Sequence, residues 1–353
     1  MSAARPTGAL DARKHERGIT LLETLITLTL LVFLISVVSN VSVNSTSSSK
    51  YSERMARAVE VGQELLNEIR GELLSTVDLM LAGTVGNSVL DALDFDPTAV
   101  PLDSSTLPTA NIAGVFQREV TAGSLTGNAL VFARHAWTTK LTCTSGNTHV
   151  VDVYRFVGFY LTREAAGPEK GSPLGLNLSK FVSEPIVDAE QLDRVSDPTD
   201  LAEFALHLAN GTPDDDGESH PAAVLVWARN TDLTVPDALR EIQPGTGMLF
   251  STPLVPRPTG AWRIQRDPGR SARGLLYYRH FSVATNFAHA RFGVARFGQR
   301  SGTGDGFPHG FEIQVIGPSA GRQVLVHLSI ATTNSNGTKA HCDLRTTAFV
   351  QDI

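Results

Sequence analysis

Residues 19–38 form an apolar run with one carboxylate in it, and that run restricts what the chain can fold into. From Ile19 to Val38 there are 20 residues. As an α-helix they would extend about 30 Å, the thickness of a bilayer's hydrocarbon core. The polar members are Thr20, Glu23, Thr24, Thr27, Thr29 and Ser36. Hydroxyls can return to the helix's own carbonyls, so Glu23 alone is costly in lipid. An ionisable residue at such a position calls for a partner. Residues 1–18 carry Arg5, Arg13, Lys14 and Arg17 against Asp11 and Glu16, a net +2. Basic residues before a span and few after it put the N-terminus in the cytoplasm and the long remainder on the far side.

A secretory signal peptide is the competing explanation. It needs a small-residue cleavage site after the apolar stretch. Here that region reads Val37-Val38-Ser39-Asn40-Val41-Ser42, a poor site, and the small residue Gly18 lies before the run instead. The order is therefore a basic leader, Gly18, Ile19, Thr20, Leu21-Leu22, Glu23 and an uninterrupted apolar helix. This arrangement resembles the leader of type IV prepilins and pseudopilins over residues 13–40, with Ile19 where Phe is commonest in the family. The resemblance implies cleavage after Gly18 by a prepilin peptidase and N-methylation of Ile19. It further implies that Glu23 pairs with the new amine of a neighbouring subunit, which offsets the desolvation of both charges. The implied partners are that peptidase, other pilin or pseudopilin subunits, and an inner-membrane assembly platform. The implied location is a single-pass inner-membrane protein with a periplasmic head, carried into a surface filament on assembly.

The resulting division is 1–18 leader, 19–38 transmembrane helix, 39–78 amphipathic stalk and 79–353 β-rich head. Residues 39–49 are rich in Ser, Asn, Thr and Val, weak helix formers, so the helix either loosens or breaks there. From Tyr51 to Ser75 the pattern is helical again. Met55, Val59, Leu66, Ile69 and Leu73 share a spacing that buries one face. Beyond residue 80, segments 130–137, 150–161, 223–228, 275–283, 311–316, 324–330 and 343–350 read as strands. Those at 311–316 and 324–330 flank Gly317-Pro318-Ser319-Ala320-Gly321, a hairpin turn. Residues 200–210 read as a short helix capped at Asp197 or Thr199. The expected fold is α+β: a long N-terminal helix packed on a large, mainly antiparallel sheet.

The net charge of −6 hides an asymmetry. Residues 184–241 hold 14 Asp and Glu against 3 Arg, and residues 257–300 hold 9 Arg against Asp267. Aromatic residues interleave the basic part, as in Ala290-Arg291-Phe292-Gly293 and Ala295-Arg296-Phe297-Gly298. Three readings are open: mutually neutralising solvated faces, subunit docking guided by opposite charge, or a ligand surface formed by Arg279, Arg291 and Arg296. The third would make the chain an adhesin or DNA-uptake receptor that uses its leader only for delivery. The acidic overall balance opposes nucleic acid as the general partner.

Nothing in the sequence argues for catalysis, and no enzyme activity, cofactor or metal is expected. Asp214-Asp215-Asp216-Gly217-Glu218 lacks the spacing of an EF-hand loop and reads as an acidic turn. Gly302-Thr303-Gly304-Asp305-Gly306 lacks the Lys of a phosphate cradle. Cys143 and Cys342 are too few for a disulfide scaffold and are not spaced as a metal site. In an oxidising compartment they form either one bridge or two buried thiols.

Overall fold

In the computed structural model the described residues are 20–83, 86, 107–112, 114–116, 126–163, 176–183, 185–223, 225–227, 239–241, 281–283, 310–333 and 339–350. By its internal contacts the chain divides into a unit of residues 1–53 and a unit of residues 54–353. Helix α1, Leu21–Leu73, runs without a break through the end of the first into the second. The weak helix formers at 39–49 therefore do not interrupt it. Thr46 donates its hydroxyl to the Ser42 carbonyl at 2.8 Å and Ser47 donates to Asn44 at 2.8 Å. Farther up, Thr27 and Thr29 do the same to Glu23 and Leu25 at 2.7 and 2.8 Å. Each of these four hydroxyls is bonded within its own helix.

In the first unit the large apolar side chains of α1 are exposed, among them Leu25, Leu28, Leu31, Phe33, Ile35 and Val38. By length and composition this helix is able to cross a membrane.

The second unit is a mixed, mostly antiparallel sheet. Its strands are β1 Thr76–Leu79, β2 Ala110–Asn111, β3 Leu130–Thr142, β4 Thr148–Arg163, β5 Leu176–Val182, β6 Ile186–Asp188, β7 Leu225–Trp227, β8 Leu239–Glu241, β9 Phe281–Val283, β10 Phe311–Ile316, β11 Arg322–Thr333 and β12 Lys339–Val350. Helices α2, Ala189–Asp193, and α3, Pro198–Asn210, lie between β6 and β7 in the chain. The main path runs β2-β10-β11-β9-β5-β4-β6-β7-β8, with β12 on β11 and β3 joining β4 to β1. Only β2–β10 and β6–β7 are parallel among the described pairs. The expected α+β layout is thus observed, including the β10–β11 hairpin, where Gly317 turns at φ 96°. Helix α3 is capped by Asp197, whose side chain accepts from Thr199 N at 2.7 Å.

Strand β4 organises the interior. Along one edge it pairs with β3. Along the other it pairs first with β6, at Val153–Tyr154, and then with β5 from Val157 onward. Val151, Val153, Val157 and Phe159 share one face by alternation, and all are buried. Val157 and Phe159 join the larger core, with Leu65, Leu66, Ile69 and Leu73 of α1 and Ile313, Val326 and Ile330 of the sheet. Val151 and Val153 join a second core beneath α3, with Phe204, Leu208, Val187 and Val226. Each fully buried Leu, Ile or Phe contributes about 1.5–3 kcal/mol relative to exposure.

Two features seat α1 on the sheet. Gly62 is buried, and a Cβ added there would lie 2.1 Å from Leu344 Cδ1 and 3.0 Å from Ile330 Cδ1. Helix and sheet therefore approach as closely as a side chain of hydrogen allows. Beside this seam Glu72 is shared by Arg134 of β3 and Lys180 of β5, and Lys180 also reaches Glu68. Burial alone would lower the Lys180 pKa, but the two carboxylates outweigh it and hold the pKa above its ordinary value.

The two helix glycines should respond oppositely to substitution. Gly62→Ile forces a branched side chain into the seam and should cost about 1–3 kcal/mol. Gly71 has nothing within 4 Å of its would-be Cβ, so Gly71→Ala should add about 0.5–1 kcal/mol. Thermal melts of the two variants check this; a stabilised Gly62→Ile or a destabilised Gly71→Ala would contradict the packing.

Candidate functional site

The N-terminal candidate, Glu23, lies in the first turn of α1. Thr20 precedes the helix and caps it. The Thr20 amide donates to Glu23 Oε2 at 2.9 Å, the Thr20 hydroxyl donates to the same oxygen at 3.1 Å, and the Glu23 amide donates to Thr20 Oγ1 at 3.3 Å. This is a capping box, two otherwise unsatisfied helix donors met reciprocally. A negative group here also faces the positive end of the helix dipole. Glu23 therefore has donors within its own chain, and part of the desolvation cost is offset locally. Thr20 is the residue that the apolar-run argument passed over. Its signal, Thr-x-x-Glu at the head of an apolar helix, is present in the sequence. Gly18 and Ile19, the implied processing site, lie outside the described residues.

The other candidates distribute as follows. Arg279, Arg291 and Arg296 lie outside the described residues, as does the glycine-rich segment 302–306. Cys143 and Cys342 are both free and buried, so the bridge left open by the sequence is not formed. They belong to different parts of the interior: Cys342 to the α1 core and Cys143 to the β3–β4 turn against α3, where its Sγ is 3.7 Å from the Asp200 carbonyl. Burial pushes the Cys342 thiol up to about 11. It also raises Cys143, together with the negative fields of Glu203, Asp200, Asp215 and Asp197. Both thiols are thereby kept protonated and poorly nucleophilic.

The acidic turn is held by two of its carboxylates. Asp214 accepts from Asp216 N at 3.1 Å and Glu218 N at 2.9 Å, and Asp215 accepts from the Thr142 hydroxyl at 2.7 Å. Next to it a small pocket is lined by Trp137, Thr139, His207, Gly211, Thr212 and His220. Its volume of about 10 Å³ suits a single water rather than an organic ligand. His207 bridges Thr139 Oγ1 at 3.1 Å and Thr212 Oγ1 at 2.5 Å, and burial lowers its pKa, so it is a neutral tie between α3 and β3.

A buried ionic group lies across the three strands β10, β11 and β12. His327 Nδ1 is 2.8 Å from Glu312 Oε2, and His327 Nε2 is 3.4 Å from Asp343 Oδ1. Arg345 of β12 is its partner in register. Burial opposes the imidazolium, but the Asp343 and Glu312 carboxylates outweigh burial and push the pKa up to about 9. Its geometry is that of an inter-strand tie.

No protein-family model, curated protein or solved structure matches this chain. What the chain's own residues establish is a long, apolar N-terminal helix followed by a β-sheet head, a layout compatible with a pilin-like architecture.

The His327 group makes the head sensitive to base. Because the folded pKa exceeds the ordinary histidine value of 6.5, the stabilisation is complete below about pH 6.5 and is lost as pH rises through about 9. The loss is on the order of 3 kcal/mol. Urea unfolding across that range measures it, and His327→Gln should flatten the profile. A wild-type midpoint independent of pH from 6.5 to 9 would refute the charged state.

Proposed function

We propose that this protein is a minor pilin- or pseudopilin-like subunit of a type IV pilus or type II secretion-type filament. It is delivered by its leader, processed after Gly18 and assembled through α1. The observation that carries this reading is the coincidence of a basic leader, Gly18, a membrane-length apolar helix and Glu23 on its first turn. A helix that continues unbroken from the apolar run to a sheet-packed half supports it further. A free membrane anchor would have no need of a 53-residue helix, whereas a filament subunit uses one half in the bundle and the other to hold the head.

In this reading processing creates an amine at Ile19, four residues before Glu23, whose capped carboxylate would otherwise meet only its own helix. In an apolar bundle a neighbour's amine adds a full positive charge to the local donors of Thr20. That attraction is strong where water is excluded and weak where it is not. Glu23 is then held by its own helix cap before assembly and engaged as an ion pair after it. The head is a structural and docking part, with no chemistry assigned to it.

Mass analysis of the protein co-expressed with and without a prepilin peptidase tests the processing step. The expected mature chain begins at Ile19; an intact chain, or one cut after Val38, would overturn the proposal. Two further variants separate the roles of Glu23. Glu23→Ala should be cleaved normally but fail to enter filaments. Glu23→Gln keeps a capping oxygen without the charge, and it should fail as well. Incorporation of the Gln variant at the wild-type level would remove the ion pair from the account.

A further inference from the structure

The turn between β3 and β4 brings three potential metal ligands together against the first turn of α3. Cys143 follows β3, His149 lies on β4, and Asp200 lies on α3. The Cys143 thiol, one His149 ring nitrogen and one Asp200 carboxylate oxygen all lie within 4.8 Å of one another. His149 Nε2 and Asp200 Oδ2 are 3.2 Å apart. Two ligands on a tetrahedral zinc ion, each at about 2.0–2.1 Å, are separated by about 3.3 Å, so this pair already spans one edge of such a site.

The remaining atoms of Asp200 point the same way. The residue is fully buried. Its Oδ2 accepts from the Asn147 amide at 2.8 Å as well as facing His149. Its Oδ1, however, is buried with no hydrogen bond of acceptable geometry. An orphaned carboxylate oxygen in the interior is costly unless something positive is supplied to it. Among the described residues no lysine or arginine is bonded to it. The carboxylates of Glu203, Asp200, Asp215 and Asp197 together place a negative field at Cys143, which a cation would enter favourably.

The outer groups hold the ligands in position. Glu203, one turn after Asp200, accepts from Thr144 N at 3.0 Å and from Thr144 Oγ1 at 3.0–3.1 Å. This ties the turn residue beside Cys143 to the same helix that carries Asp200. His149 packs edge-on against Phe204 at 6.3 Å, which limits rotation of its ring. Supporting contacts of this kind orient metal ligands.

We propose that Cys143, His149 and Asp200 bind one zinc ion, which fastens the β3–β4 turn to α3. Thiolate, imidazole and carboxylate together suit zinc, a borderline-soft ion, better than magnesium or calcium. Thiolate and carboxylate match its double charge, and a water completes the coordination. Binding displaces the thiol proton to solvent and involves no electron transfer.

The chain contains only two cysteines, so the thiol involved is identifiable. The full chain, purified in detergent and stripped with a chelator, is titrated with zinc and separately with cobalt. The expected result is one zinc per chain, with a thiolate-to-cobalt absorption band that zinc abolishes. Cys342→Ser should keep the band. Cys143→Ser should lose it, and Asp200→Asn should weaken zinc binding by at least about tenfold. Zinc should also raise the melting temperature of the wild type but not of Cys143→Ser. Circular dichroism establishes that the variants are folded. No thiolate band in the wild type at saturating cobalt would overturn the proposal. So would a band that survives in folded Cys143→Ser or disappears in folded Cys342→Ser.

Discussion

The fold depends on the seam between the second half of α1 and the sheet. Ala58, Val61, Leu65, Leu66, Ile69 and Leu73 supply the helix's buried apolar face, and Gly62 lets the two surfaces approach. Dispersion falls off steeply with separation, so a helix held a small distance away would lose contact along its whole buried length. Around the seam, Glu72 with Arg134 and Lys180 supplies direction more than strength. A half-buried carboxylate shared by two cations favours the orientation that satisfies it and penalises the others. The apolar stripe brings the helix to the sheet, and the charges fix how it lies.

Several parts of this architecture were legible in the sequence for identifiable physical reasons. The apolar run at 19–38 and the stripe through Leu66, Ile69 and Leu73 have the periods that distinguish a membrane-length helix from an amphipathic one. The Asp197 cap and the Gly317 turn mark α3 and the β10–β11 hairpin because few residues suit those backbone positions. The strands that escaped notice are short or depend on distant partners. Strand β6 has three residues and forms by pairing with β4 and β7, which is decided by tertiary contact rather than by its own pattern. The segment 39–49 was ambiguous because propensity scales count serine and threonine as weak formers. Weak formers lower a helix's stability without breaking it, and the hydroxyls of Thr46 and Ser47 find acceptors on the helix itself.

The functional residues divide in the same way. Glu23 stood out because a carboxylate in an apolar run is costly, but its capping partner Thr20 was obscured by being one polar residue among several. The cluster of Cys143, His149 and Asp200 was not legible at all. Cys143 and Asp200 are 57 residues apart, and only the folding of α3 onto the β3–β4 turn brings them together. Spacing rules detect ligands that share a loop or a helix face. They are blind to a site shared by a hairpin and a helix from a later part of the chain.

Strand β4 contributes side chains from one face to both cores, and this has a consequence for how the head comes apart. Two cores built on separate strands could melt in succession, each with its own transition. Here the loss of α3 would expose Val151 and Val153 and loosen the same backbone ladder that holds Val157 and Phe159 under α1. Opening one core therefore raises the free energy of keeping the other closed. The head should in this respect unfold as a single cooperative unit, with amides in the middle of β4 and β3 exchanging only on global unfolding.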